Sequence, residues 1–189
     1  VGVANAWMLM KCPGVFVWNF AEKTRRPVCY NGNSLRGRAR ERGSYYMEDR
    51  KLCMRCMACK ADEQEACPVC GFIERDFVPE KHHLPPRTIL KGQYLVGCAL
   101  GEGGFGITYI GWDLFLHMPV AIKEYFPSGV VIRDQGQCTV SVFAGKDEQS
   151  FLKGRESFFR EAQKVARFDN NPGVVSVKNC FIENGTAYI

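Results

Sequence analysis

The sequence LGEGGFGIT occupies residues 100–108, and VAIK follows at residues 120–123. The first stretch has the pattern Gly-x-Gly-x-x-Gly. A dinucleotide-binding loop of this pattern requires a helix directly after its last glycine, whereas residues 107–112 are ITYIGW, a β-branched and aromatic run typical of a strand. The pattern therefore predicts a glycine-rich loop between two strands. Such a loop can fold over phosphate groups and offer them backbone N–H groups without obstruction by side chains.

Lys123 ends the second stretch and lies in a strand predicted over Pro119–Tyr125, bounded by two prolines. Strand alternation places Ala121 and Lys123 on the same face. A lysine on a core strand is costly unless it meets an anion. The sequence therefore predicts a phosphate or a carboxylate close to Lys123.

Glu161 is the carboxylate that the sequence offers. A helix is predicted from about Phe151 to Phe168, and an inward stripe at helical spacing is formed by Phe158, Ala162 and Val165. Glu161 falls on that stripe, so we predict that it meets Lys123. The alternative, a position at the solvated edge of the stripe, stays open.

Other strands are indicated by short β-branched and aromatic runs between turn residues. We predict a hairpin near the carboxyl end, because Asn184-Gly185 is a strong two-residue turn signal. The further predicted strands are Tyr94–Leu100, Ile107–Trp112, Thr139–Phe143, Val174–Ile182 and Thr186–Ile189.

Five of the ten cysteines lie within residues 53–70. Without a secretory signal, such clustering indicates metal ligands in a reducing compartment rather than disulfides. Two Cys-x-x-Cys pairs can complete a closed tetrahedral shell around a structural Zn²⁺ ion. We predict that the ligands are Cys56, Cys59, Cys67 and Cys70. A register that uses Cys53 with Cys56 stays open, as does a redox-active or incidental thiol cluster.

Charge is concentrated in residues 1–46, which hold eight basic and two acidic side chains, a net charge of +6. We interpret this leader as disordered or as a misassigned start before Met47. A basic binding arm or a featureless tail is the alternative. The other 143 residues carry a net charge of −1 and give no electrostatic reason to bind nucleic acid. The sequence has no stretch of 18 apolar residues, so we predict no membrane-spanning helix.

Residues 94–189 resemble the N-terminal lobe of a protein kinase, in particular the eukaryotic-like serine/threonine kinases of bacteria. The resemblance is carried by the glycine pattern, by VAIK, by FREA at residues 159–162 and by GTAYI at residues 185–189. KEYFP at residues 123–127, together with the cysteine module, is similar to a bacterial subgroup that carries an N-terminal zinc ribbon. Thr108 departs from the valine that is usual in the family.

The resemblance implies an α+β fold with a five-stranded antiparallel sheet and one main helix. The domains would be a leader (1–46), a zinc ribbon (47–72), a linker (73–93) and the kinase lobe (94–189). It also implies that Lys123 holds the α- and β-phosphates of ATP and that Glu161 orients Lys123. The remaining ATP-binding residues would be Leu100, Gly101, Glu102, Gly103, Gly104, Phe105, Gly106, Thr108 and Ala121.

A complete kinase of this family would use ATP and Mg²⁺ to phosphorylate serine or threonine of protein substrates in the cytoplasm. The 189 residues hold neither the His-Arg-Asp catalytic loop nor Asp-Phe-Gly. We therefore expect an N-terminal part of a longer kinase, inactive by itself and without a membrane segment. The alternatives are a non-catalytic zinc-ribbon adaptor that binds nucleotide and, with the basic leader, a nucleic-acid-binding ribbon.

Overall fold

The computed structural model of the chain describes residues 52–61, 64–145, 147–168 and 175–189. The predictions made for the leader and for a start at Met47 lie outside these residues. Within the described ranges, no helix is both long enough and apolar enough to cross a membrane.

An antiparallel sheet of six strands forms the centre of the fold, in the order β1-β2-β3-β4-β8-β7. A separate two-stranded sheet pairs β5 with β6. The helix α1 spans Glu148–Ala166. The strands are β1 (Ile89–Leu90), β2 (Tyr94–Gly103), β3 (Gly106–Asp113), β4 (Met118–Tyr125), β5 (Val131–Ile132), β6 (Ser141–Val142), β7 (Phe181–Glu183) and β8 (Thr186–Tyr188).

The sheet differs from the predicted five strands because β1 comes from the predicted linker and pairs with the start of β2. The strand predicted over Val174–Ile182 is also shorter, since residues 175–180 have no regular structure and β7 begins at Phe181. The hairpin from β7 to β8 was predicted correctly. Asn184 and Gly185 take φ values of 53° and 78°, the conformation that favours this residue pair.

Helix α1 begins at a polar cap and packs through aromatic contacts on β4. The Asp147 carboxylate accepts a hydrogen bond from the Gln149 backbone N–H at 2.9 Å, which satisfies a free donor of the first turn. Tyr125 of β4 contacts the rings of Phe151 and Phe158 at 5.5 Å between centroids. A Cβ at Gly154 would lie 2.0 Å from the Tyr125 hydroxyl. The glycine therefore permits the close approach of helix and sheet.

The cysteine module shares a hydrophobic core with the sheet. Its side chains Leu52, Met54 and Met57 are buried in one cluster with Leu95, Cys98, Ile110 and Trp112 of β2 and β3. The backbone N–H of Cys98 donates to the carbonyl of Met54 at 2.7 Å. A cysteine module of this size is too small to bury its own apolar side chains. Here the sheet covers them.

Candidate functional site

The glycine-rich loop is the turn between β2 and β3. A Cβ at Gly106 would lie 2.1 Å from the carbonyl oxygen of Glu124 on β4, so this glycine is required by close strand packing. By contrast, a Cβ at Gly101 or Gly104 would meet no atom within 4 Å. Phe105 at the tip is 72% exposed. The loop therefore has open space beside two of its glycines, where a ligand can approach the backbone.

Lys123 lies beside this loop on β4. Thr108 of β3 pairs directly with Lys123, so the two side chains project from the same face of the sheet. Ala121, two residues earlier, is exposed on that face, and Leu100 is 48% exposed. The structure thus places the residues expected around an adenine and its phosphates on neighbouring strands.

Glu161 on α1 is close enough to Lys123 for its charge to affect the lysine pKa. Both side chains are half-buried. Burial lowers the pKa of the Lys123 ammonium below its usual value, and the negative charge of Glu161 opposes that shift. The helical stripe has the predicted orientation, because Phe158 and Ala162 are buried. The arrangement offers a half-buried ammonium with a carboxylate nearby, which is suited to binding an anion.

Four cysteines form a second candidate site. The sulfurs of Cys53 and Cys70 are 3.7 Å apart, as are those of Cys56 and Cys67. All four sulfurs lie within 4.8 Å of one another. A tetrahedral zinc ion with bonds of about 2.3 Å separates its sulfur ligands by about 3.8 Å, far beyond a disulfide bond of about 2.05 Å. The donor set and spacing therefore fit Zn²⁺.

The predicted register of this site is corrected by the structure, which brings Cys53 rather than Cys59 to the other three. Each pair spans an equivalent tight turn: the Met57 N–H donates to the Cys53 carbonyl and the Gly71 N–H to the Cys67 carbonyl, both at 2.8 Å. Met57 and Gly71 both have positive φ, 56° and 72°.

Cys59 follows the first turn, where its backbone bridges to Leu52, just as Ile73 follows the second and bridges to Ala66. Cys59 therefore occupies the β-bridge position after a turn rather than a ligand position. Cys53, Cys56 and Cys59 are equally spaced, so the sequence carries no spacing signal that selects Cys53 over Cys59.

Backbone donors point at one of the clustered sulfurs. Burial alone raises the pKa of the Cys67 thiol, but the backbone N–H groups of Cys70 and Val69, with hydrogen bonds to the Cys53 and Cys56 thiols, lower the pKa to about 7. Burial raises the pKa of the Cys53 and Cys56 thiols. Backbone N–H groups aimed at a sulfur stabilise its thiolate form, which is the form that binds a metal.

Comparison with known proteins supports a kinase-like fold. The solved structure of PpkA-294 in its apo form matches 57% of this chain at 36% sequence identity, with a TM-score of 0.53. The chain spans 37% of the length of that protein. PpkA is a bacterial serine/threonine kinase. No family model and no curated protein matches the chain.

The structure also contains a buried ionic network that sequence reasoning missed. Glu124 and Arg133 both have fully buried side chains and form an ion pair. The carboxylate accepts two hydrogen bonds from the guanidinium. It accepts one more from the hydroxyl of Tyr109 at 3.0 Å and another from that of Tyr188 at 2.8 Å.

This network links separate segments of the chain. Arg133 also donates to the carbonyls of His82 and Cys138, at 2.8 and 3.1 Å. Strand alternation was the available signal, because it places Glu124 beside Ile122 on the face opposite Lys123. A buried acid on that face requires a basic partner.

Proposed function

We propose that this chain is the ATP-binding lobe of a protein kinase that transfers the γ-phosphate of ATP to serine or threonine of protein substrates. The observation that carries the proposal is that the half-buried ammonium of Lys123 on β4 lies beside the glycine-rich loop and feels the negative charge of Glu161 on α1. The likeness of the fold to that of PpkA-294 is consistent with this proposal. The complete reaction is proposed for the longer protein, since the chain spans 37% of the matched kinase.

In the proposed reaction, Lys123 binds the α- and β-phosphates and Glu161 keeps the ammonium oriented towards them. The backbone of the loop would cover the phosphates, while Ala121 and Thr108 would contact the adenine. Mg²⁺ neutralises phosphate charge when it is bound in a complete kinase. The contribution of this lobe is positioning and charge, the two effects that dominate phosphoryl transfer.

The test uses the full-length protein, radiolabelled ATP, Mg²⁺ and a generic protein substrate. Lys123→Met is expected to remove nearly all transfer, and Glu161→Gln to lower it with more residual activity. Lys153→Met and Glu156→Gln are matched controls, because they make the same changes at exposed side chains of α1, the helix that carries Glu161. Both variants should retain activity. Full activity of Lys123→Met would refute the proposed phosphate site. An inactive parent that still binds ATP through Lys123 would instead support the adaptor.

We also propose that Cys53, Cys56, Cys67 and Cys70 bind a structural Zn²⁺ ion. Four thiolates close the tetrahedral shell and leave no position for a substrate, which argues against a catalytic metal. The role of the ion would be to join the two turns of the ribbon, whose apolar side chains then pack on β2 and β3. Zinc content of the purified chain by mass spectrometry under native conditions tests this assignment.

A further inference from the structure

A cluster of two histidines and one glutamate lies where residues 82 and 83 contact the glycine-rich loop. The Nε2 atoms of His82 and His83 are 2.8 and 3.2 Å from the same carboxylate oxygen, Oε2 of Glu102. One ligand atom from each of the three residues lies within 4.8 Å of the others. The side chains of His82 and Glu102 are 35% and 36% exposed, so an ion from solvent can reach them.

The backbone that carries the two imidazoles is tied to the buried network, and each ring packs on an aromatic side chain. The carbonyl of His82 accepts a hydrogen bond from Arg133, and the backbone N–H of Leu84 donates to the Tyr109 hydroxyl at 3.1 Å. The His82 ring packs on Phe126, at 5.6 Å between centroids, and the His83 ring on Tyr109, at 6.1 Å. Little conformational freedom therefore remains to be lost when the two Nε2 atoms bind a common partner.

We propose that His82, His83 and Glu102 form a second metal site, one for a divalent transition ion such as Zn²⁺. Two imidazoles and one carboxylate are a ligand set that zinc accepts, with a fourth position left for water. Ligands of a tetrahedral zinc ion at about 2.0–2.1 Å are about 3.3 Å apart, so the 2.8 and 3.2 Å separations need only a small expansion. This site is chemically distinct from the four-thiolate cluster.

The site would connect the segment before β1 to the glycine-rich loop. Glu102 lies between Gly101 and Gly103, and its backbone belongs to the end of β2. An ion that holds its carboxylate to the two histidines would restrain the loop. We expect slower amide hydrogen exchange at residues 103–106 when the site is filled.

The experiment is a calorimetric titration of the 189-residue chain with Zn²⁺, after one equivalent has been added to fill the four-thiolate site. A second equivalent should bind. Glu102→Gln and His83→Ala should each weaken that second step by more than about 100-fold, because loss of even an outer partner of a ligand costs about 10- to 100-fold. Glu102→Gln changes an exposed side chain at the end of β2 and should leave the circular dichroism spectrum unchanged.

Matched controls come from the same chain. His117, the remaining histidine of the sequence, is exposed in the turn between β3 and β4. His117→Asn and Glu156→Gln should both bind the second equivalent like the parent chain. The proposal is overturned if the parent chain binds no second equivalent. It is also overturned if Glu102→Gln and His83→Ala bind that equivalent as tightly as the parent, since other side chains would then be the ligands.

Discussion

Replacing Arg133 with methionine would leave the Glu124 carboxylate buried without its cation. The carboxylate is fully buried and receives two of its four hydrogen bonds from Arg133. Tyr109 and Tyr188 would remain as neutral donors. Methionine retains much of the volume of the arginine stem, so the change removes charge and hydrogen bonds rather than bulk.

The expected loss in free energy of unfolding is about 3–5 kcal/mol, the usual cost of removing one partner of a buried ion pair. Removing a single tyrosine donor, as in Tyr188→Phe, should cost less, about 1.5–3 kcal/mol, because one hydrogen bond to a charged group is lost. A double variant Arg133→Met/Glu124→Gln should be more stable than Arg133→Met alone, since no uncompensated charge is then buried.

Urea unfolding of the 189-residue chain, followed by circular dichroism, measures these differences. With a slope of about 2 kcal/mol per M, Arg133→Met should lower the midpoint by about 2 M. Arg160→Met is the control. Its ion pair with Glu156 is exposed at 3.7 Å and should contribute less than about 1 kcal/mol. A loss below about 1 kcal/mol for Arg133→Met, or a double variant less stable than that single variant, would refute the reasoning.

Three further predictions concern the ribbon and two tightly packed glycines. Cys53→Ser should abolish stoichiometric zinc binding while Cys59→Ser retains it, as measured by metal content; the reverse result would restore the register predicted from sequence. Gly106→Ala should destabilise the chain by at least about 1–3 kcal/mol because its methyl group overlaps the backbone of β4, whereas Gly104→Ala, with open space around it, should change the urea midpoint little. Gly154→Ala should also lower stability despite the better helix propensity of alanine, and a gain of stability would contradict the close contact between α1 and β4.

Local patterns in the sequence predicted the central strands well. The alternation of ITYIGW and VAIK defined β3 and β4 to within a residue or two, because both strands have long regular patterns. Helical spacing placed Glu161 beside Phe158 and Ala162 on α1; those two side chains are buried and Glu161 is half-buried. The two-residue strand β1 was missed, since its Ile-Leu pair has no periodicity and its pairing depends on the distant start of β2.

Contacts between distant segments were harder to predict. The structure uses Cys53 where the sequence analysis predicted Cys59 as a ligand. The backbone turns decide between the two, and spacing alone cannot, because the three cysteines are equally spaced. Likewise, the sequence drew attention to Lys123 rather than to its neighbour Glu124. The buried ion pair of Glu124 is seen only when the fold brings Arg133 and two tyrosines to it. In both cases the contacting side chains are selected by the tertiary structure and not by the local sequence.

Because the cysteine module and the sheet share a hydrophobic core, zinc binding as proposed would couple metal availability to the folding of the sheet. Met54 contacts strands β2 and β3 through its side chain and holds Cys98 through its carbonyl. With zinc bound as proposed, part of the binding free energy is added to the stability of those strands; a ligand at 100 times its dissociation constant contributes about 2.7 kcal/mol. The strands that bear the glycine-rich loop would then melt at a temperature set by free zinc, so that a zinc-starved cell would hold less folded lobe from the same amount of chain.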